Sequence, residues 1–434
     1  MKILLVIAQY KPATDPNIQR WSKILQWFQK NGDDVFILTT QRYPEKENSA
    51  IDNIPVYRAG HQTLRDAFHN ISRIQNKRNI TGKTSNNTSL ISKSINKLLN
   101  LTWRKKYWPD GSVLFLEPGI KKGDEIIKSE QIEQLVSVGV PFTCHVIAQR
   151  LKELYPDIKW HMDIQDPFSF SDEFRVNNHE KFKYRNTRAE YEALQWADTV
   201  SVNNKRTKTL YNQYFPFIEE KISVIPPLFS VPEKQDSSMP GMLKDKIHVA
   251  YFGSFYETVR SPEPFILFLE KLKSSYPLDY AKLQLHYLGQ HSSFSREIFN
   301  NYSQVTSDIH DHGFLPRPAM FELLNKMDVL LHIGNTTDYH LPSKSVEYLF
   351  FNKPVVNFTQ RPDDSFDHFV NNRCPVINIR LDKSIEDESL RTFLDFVTHK
   401  REKSEPSHNN VQKYTVQTIA GSYKTLFTQG LTSG

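Results

Sequence analysis

Continuous apolar runs alternate with amphipathic stretches along most of the chain. Residues 3–8 (ILLVIA) are apolar without a break, as in a parallel strand buried on both faces. Asp15-Pro16 then offers an N-cap followed by proline at the first helical position. Ile18, Trp21, Ile24, Leu25 and Phe28 recur at helical spacing, and Gly32 suits the helix end. Residues 35–40 supply the next strand, so the chain opens with a βαβ unit whose crossover should be right-handed. The same rhythm returns after residue 109. It predicts a helix from Asp124, a strand at 134–138, a helix from about Thr143 and a strand at 160–164. A charged, tyrosine-rich helix follows, ending at Trp196-Ala197-Asp198 before a strand at 199–202.

Residues 230–246 (SVPEKQDSSMPGMLKDK) are rich in Pro, Ser and charge and read as a linker. Beyond it the pattern starts afresh, with strands at 248–252, 283–288 and 329–333 ending in Gly253, Gly289 and Gly334. A helix from near Ser343 and a strand at 355–358 follow, and Val411, Ile419, Tyr423, Leu426 and Phe427 are spaced as one last helix. The expected organisation is an α/β domain over 1–229, the linker, a second α/β domain over 247–405, and a terminal helix within 406–434 that packs back on the first domain. Two doubly wound halves would bind ligand at the carboxyl ends of their strands, in the crevice between them.

Residues 63–109 break the rhythm. Residues 81–89 are polar and Gly/Asn/Ser/Thr-rich, and Ile91, Ile95, Leu98 and Leu99 then form an apolar stripe near Trp103, Tyr107 and Trp108. The chain of 434 residues carries a net charge of +6, yet 63–108 alone holds ten Lys or Arg against Asp66. The remainder is therefore net acidic, and an anionic membrane surface is a candidate partner for this segment. Its aromatics do not interleave with its basic residues as a nucleic-acid stacking platform requires, so no nucleic-acid partner is expected. Cys144 and Cys374 form no disulfide framework or zinc pattern, which points to a reducing, cytoplasmic compartment. The first apolar run is too short for a signal peptide, and no run approaches the ~18 apolar residues of a spanning helix.

The sharpest chemical signal is HLPSKSVEYL at 340–349. Pro342 and Ser343 resemble a helix start, which would leave the N–H groups of Ser343, Lys344 and Ser345 free to receive an anion. Lys344 adds a cation there, and Glu347 one turn on could accept hydrogen bonds from ribose hydroxyls. A surface helix with a capping Ser and an i, i+3 Lys–Glu pair accounts for the spacing equally well.

The stretch HLPSKSVEYLFFNKPVV resembles the donor-binding segment of retaining glycosyltransferases of family 4, which have the two-Rossmann GT-B fold. VAYFGSFYETVRSPEP (249–264) is similar to the Gly turn and basic residue that open that family's C-terminal domain, and HGFLPRPAMFELLNKMDVLLHIGN (312–335) to its base-binding loop, helix and strand. VPFTCHVIAQRL (140–151) and MDIQDPF (162–168) resemble the inner strand ends of the acceptor domain in the subgroup acting on surface polysaccharides. The resemblance covers most of the chain outside 63–109. It implies two Rossmann-like domains facing across a cleft, a UDP- or GDP-sugar as co-substrate with no separate cofactor, no bound metal, and a glycan or lipid-linked glycan as acceptor. Arg260 and Lys344 would grip the donor diphosphate and Glu347 the ribose. Gly253, Gly313, Ser343, Ser345 and Asn335 would line the donor site, with His145 and Asp166 facing the acceptor.

The chain departs from the family pattern at several positions. Tyr339 stands eight residues before Glu347 where the family has a second Glu, and the adjacent Asp338 is the candidate replacement. Ser254 and Arg260 occupy the places of an Arg and a Lys, Lys11-Pro12-Ala13-Thr14-Asp15 replaces a glycine-rich loop, and Gly139 stands where many members have His. The glycine-free Gln9-Tyr10-Lys11-Pro12 argues against a Rossmann dehydrogenase. The remaining rivals are a non-hydrolysing sugar-nucleotide epimerase, a phosphorylase, and a degenerate transferase that only binds a partner or glycan.

Overall fold

A computed structural model describes residues 1–13, 15–41, 48–61, 107–171, 175–233, 242–243, 245–370, 373–382, 384–399 and 406–428. The basic segment up to residue 106, its apolar stripe and Trp103 lie outside the described residues, as do 234–241 of the linker. The chain divides into two compact units, Met1–Pro226 with Ile419–Gly434, and Pro227–Thr418.

The first unit is built on a sheet of eight strands: β1 (Lys2–Val6), β2 (Asp34–Thr40), β3 (Asn48–Ile51), β4 (Ile54–Ala59), β5 (Gln134–Val138), β6 (Lys159–Ile164), β7 (Thr199–Val202) and β8 (Ile222–Val224). Their order is β3-β4-β2-β1-β5-β6-β7-β8, parallel except for the β3–β4 pair. Ile3, Leu4, Leu5 and Val6 are fully buried, as a central strand covered on both faces must be. The chain runs from β1 out to β2 and then crosses to β5 on the other side, so the switch point lies between β1 and β5.

The helix expected from Asp124 begins eight residues earlier, as Leu116–Glu130. Two glycines in its first half, Gly119 and Gly123, are packing positions. A Cβ at Gly119 would lie 2.7 Å from Ile147 Cδ1, and one at Gly123 2.6 Å from Leu151 Cδ1, both on helix Thr143–Leu154. The segment read as one helix over 411–427 is also broken. A 3-10 turn, Gln412–Tyr414, precedes the terminal helix Val416–Thr428.

From Ile419 onward the terminal helix belongs to the first unit, anchored at Asp163 of β6. The Asp163 carboxylate accepts from Trp21 Nε1 (2.9 Å), Ser201 Oγ (2.6 Å), Gln165 Nε2 (2.8 Å) and the Tyr423 hydroxyl (2.9 Å). Arg20 Nη1 stands 3.5 Å away, and Arg20 Nη2 donates to the Tyr423 oxygen at 2.8 Å. Burial opposes the charge on Asp163, yet Arg20, Ser201, His161 and Trp21 together hold its carboxyl below the usual range. Around this polar centre Trp21 packs on Tyr423 and Phe28 stacks on Phe427.

The second unit has six parallel strands: β9 (Ile247–Phe252), β10 (Leu283–Leu288), β11 (Ile309–Asp311), β12 (Val329–Ile333), β13 (Val355–Thr359) and β14 (Val376–Arg380). The order β11-β10-β9-β12-β13-β14 places its switch point between β9 and β12. Among the described residues no helix is long and apolar enough to cross a membrane.

Replacing Asp163 with Ala strands the buried Arg20 guanidinium, and calorimetry should show a loss of about 3–5 kcal/mol. Tyr423→Phe should cost less, about 1.5–3 kcal/mol for one bond to a charged group. Because the folded Asp163 carboxyl lies below its ordinary 3.8, its contribution is complete above that pH and fades only as pH falls through the folded value.

Candidate functional site

In the second unit, the chain leaving β9 turns through Gly253 and folds back in a tight loop in which Tyr256 and Arg260 exchange backbone hydrogen bonds, both 3.0 Å. That loop returns Arg260 to the carboxyl end of the sheet, where it is 8% exposed. Arg260 Nε and Nη2 donate to Asn335 Oδ1 at 3.0 and 2.7 Å, and Asn335 Nδ2 donates to the His340 carbonyl at 3.1 Å. Arg260 follows β9 and Asn335 follows β12, so this clasp spans the switch point. Close backbone packing there requires Gly334, whose Cβ would meet Asp364 Oδ2 at 2.9 Å and the Phe358 carbonyl at 3.3 Å. At Gly253 a Cβ would meet the Tyr251 hydroxyl at 2.7 Å, so this glycine makes room for Tyr251. Gly313 sits in open space at φ +61°, a conformation that favours glycine.

Lys344 is half-buried at the N-cap of helix Ser345–Phe351, its ammonium 5.7 Å from the centre of the Phe252 ring. Burial pulls its pKa below the ordinary lysine value. Glu347 opposes that pull, and Arg260 and Arg317 add to it. Glu347 is 7% exposed. Burial raises its pKa, while Arg317, whose Nη2 donates to Oε1 at 3.1 Å, and Lys344 act to lower it.

The structure corrects the expected helix start. The helix begins at Ser345, because Pro342 opens a tight turn in front of it instead of taking the first helical position. The Pro342 carbonyl accepts both the Ser345 amide (2.9 Å) and the Ser345 hydroxyl (2.7 Å), so that amide is not free for an anion. Ser343 is exposed on the turn. Asp338 is half-buried between the buried Thr337 and Tyr339, in the loop that carries Asn335 and His340. Arg260, Asn335, Lys344 and Glu347 are thus brought together. Arg317, not singled out from the sequence, joins them through Glu347. Its place beside Pro316 at the head of helix Arg317–Asn325 was the available signal.

In the first unit, His145 and Asp166 line one small cavity at the carboxyl ends of β5 and β6, with Gly139, Phe142, Phe168 and Glu190. His145 is 2% exposed, and burial pulls its pKa down to about 3, so the ring is neutral at physiological pH. Its Nδ1 lies 2.7 Å from Ser137 Oγ, which accepts from Trp160 Nε1 at 2.8 Å. A hydroxyl can accept twice and donate once, so Ser137 can partner either tautomer of the ring, whose Nε2 faces residue 139. That nitrogen is 2.5 Å from where a Cβ of residue 139 would stand. The absent side chain at Gly139 is what admits the ring. Glu190, also missed in the sequence, accepts from the amides of Phe168 (3.2 Å) and Ser169 (2.9 Å) and from the Tyr211 hydroxyl (2.6 Å), fixing the loop that follows Asp166.

Trp108, grouped in the sequence with the interfacial aromatics, instead packs on helix His179–Trp196. Its Nε1 donates to Asn186 Oδ1 at 3.0 Å, and Arg185 lies 3.7 Å from its ring centre. Cys144 and Cys374 are both buried free thiols.

No family model matches the chain, and no curated protein matches it by sequence. Solved structures match it along its length. A glycosyltransferase from Rickettsia africae is 11% identical with a TM-score of 0.60, covering 100% of this chain and 99% of that one. HepE of Anabaena, solved with UDP and glucose, is 14% identical with a TM-score of 0.56, covering 99% and 100%. A UDP-N-acetylglucosamine 2-epimerase-like protein of Listeria monocytogenes is 12% identical with a TM-score of 0.52, covering 100% and 97%. Together with the two parallel-sheet units, these likenesses show the GT-B fold, the fold implied by the sequence resemblance.

Gly139→Ala should collide with the His145 ring and cost about 1–3 kcal/mol, the usual range for overpacking. Adding His145→Ala should recover part of that loss. Chemical denaturation of the two variants checks this, since a double variant no more stable than Gly139→Ala would mean the ring is not the obstacle.

Proposed function

We propose that this protein is a glycosyltransferase that moves a sugar from a nucleotide-sugar donor to a glycan or lipid-linked glycan in cell-surface polysaccharide synthesis. The observation carrying this reading is the convergence of the buried Arg260 and the half-buried Lys344 with the Glu347 carboxylate beside the β9/β12 switch point. Two cations suit a diphosphate, and a carboxylate within reach of the same place suits ribose hydroxyls. Their positive charge would lie where the departing diphosphate gains its negative charge, which is stabilisation without a divalent ion.

Transfer breaks the bond from the anomeric carbon to the diphosphate oxygen and forms one to the acceptor oxygen. In the retaining course the acceptor enters from the leaving-group side, and its hydroxyl proton passes to the departing phosphate. The neutral His145 ring and Asp166 are the candidate contacts to acceptor hydroxyls. The Anabaena structure holds UDP, which makes UDP-sugars the first donors to try. The basic charge of 63–108 supports docking on an anionic membrane where a lipid-linked acceptor would reside.

A thermal-shift panel of UDP-, GDP- and ADP-sugars tests the donor. A ligand at a hundred times its dissociation constant should stabilise the protein by about 2.7 kcal/mol. Arg260→Ala and Lys344→Ala should each lower transfer by ~10²–10³, and chelator should leave the rate unchanged. Normal turnover in the double variant would sink the assignment, and turnover without net transfer to an acceptor would favour an epimerase. For the membrane, co-sedimentation with anionic but not neutral vesicles is expected, falling with salt. It should be lost when Lys93, Lys97, Arg104, Lys105 and Lys106 become Gln, and equal sedimentation of wild type and that variant would rule docking out.

A further inference from the structure

Arg317 has no part in the reading above, yet its side chain is tightly placed. The guanidinium lies over the rings of Phe321 and Phe229, 5.0 and 5.7 Å from their centres. Nη1 reaches Ser230 Oγ at 3.4 Å and Nη2 reaches Glu347 Oε1 at 3.1 Å. Contact with the two aromatic rings restrains the fork, so its direction toward Glu347 is set before any ligand arrives.

Glu347 needs such a partner. A carboxylate at this depth is driven toward its protonated form by lost hydration. Once protonated it carries a donor, and one oxygen no longer accepts as a carboxylate oxygen does. The charged groups acting on Glu347 are Arg317 from the head of helix Arg317–Asn325 and Lys344 from the residue before its own helix. Arg260 acts on Lys344. Lys344 is itself pushed toward its neutral form by burial, whereas a guanidinium keeps its proton at any working pH. Arg317 is therefore the more dependable of the two neighbours.

We infer that Arg317 is a positioning residue that keeps Glu347 ionised and aimed, so that Glu347 can accept hydrogen bonds from the ribose diol of a nucleoside diphosphate. This rests on the nucleotide-sugar reading of the same site. It also accounts for a half-buried helix-head arginine packed over two aromatic rings, which a solvated surface pair would not require.

Calorimetric titration of UDP into wild type, Arg317→Met, Arg317→Lys and Glu347→Gln, from pH 5.5 to 8.5, tests it. The ratio to wild type at each pH cancels the titration of the nucleotide itself. Arg317→Met should bind about tenfold more weakly at the acid end, the size of one charge-assisted hydrogen bond, and recover toward wild type at the alkaline end. Arg317→Lys, which retains a charge, should keep a flat ratio and serves if Arg317→Met does not fold. Glu347→Gln should bind weakly with a flat ratio. Inorganic pyrophosphate, which has no ribose, should bind wild type and Arg317→Met alike. A ratio for Arg317→Met that is the same at every pH overturns the role of Arg317 while leaving nucleotide binding intact. Failure of wild type to bind UDP, GDP or ADP overturns both.

Discussion

A carboxylate buried in the middle of a sheet must be met by donors, and Asp163 is met by residues from four separate parts of the first unit. Trp21 and Arg20 come from the first helix, Ser201 from β7, Gln165 from the loop after β6, and Tyr423 from the last helix. Each is placed by its own element, yet each is needed to hold one charge out of water. Severing any of them leaves a polar group unpaired at low dielectric, which costs far more than an exposed contact. The terminal helix is thereby fixed to the sheet beside whose strand ends lie His145 and Asp166. Lys424, paired with Asp33 at 3.0 Å, adds a more exposed second attachment.

Strand order then decides where chemistry can collect. In each unit the chain first builds one side of the sheet and then crosses to the other, so loops diverge at the reversal and leave room at the strand ends. In the second unit that room holds the Arg260–Asn335 clasp. In the first it holds His145, admitted because residue 139 has no side chain. The chemistry differs accordingly. Where Lys344 and Glu347 meet, burial works against both charges, and their mutual attraction and that of Arg317 resist it. Around His145 burial prevails, and the ring stays neutral.

The central strands were legible because a strand covered on both faces has to be apolar throughout. The predicted 35–40, 134–138, 283–288 and 329–333 fall on β2, β5, β10 and β12 almost residue for residue. Strands β3, β4, β8, β11 and β14 were not read, and β11 and β14 are half-exposed and carry little apolar signal. The helix Leu116–Glu130 was read short at its start, where Gly119 and Gly123 serve close contact with a neighbouring helix that no local pattern shows. Of the candidate site, Arg260, Lys344 and Glu347 were legible through a motif. The turn that occupies the Ser345 amide was not, because Pro-Ser serves a tight turn and a helix start equally well.

What the sequence alone determined was local or periodic. It set the strand runs, the helix stripes, the two α/β series with a polar linker between them, and the residues able to bear charge. Tertiary structure decided which of those residues meet. Asp163 and Tyr423 are joined across 260 positions, and Arg317 reaches Glu347 across 30. Along one sheet face His248 Nδ1 lies 3.1 Å from His286 Nε2, and His286 Nδ1 lies 2.9 Å from His312 Nε2, a row of imidazoles with no signature in spacing. Burial decided the rest, because whether a histidine is neutral or a glutamate needs an arginine depends on the water removed around it. That is a property of the packed molecule and of no single stretch of chain.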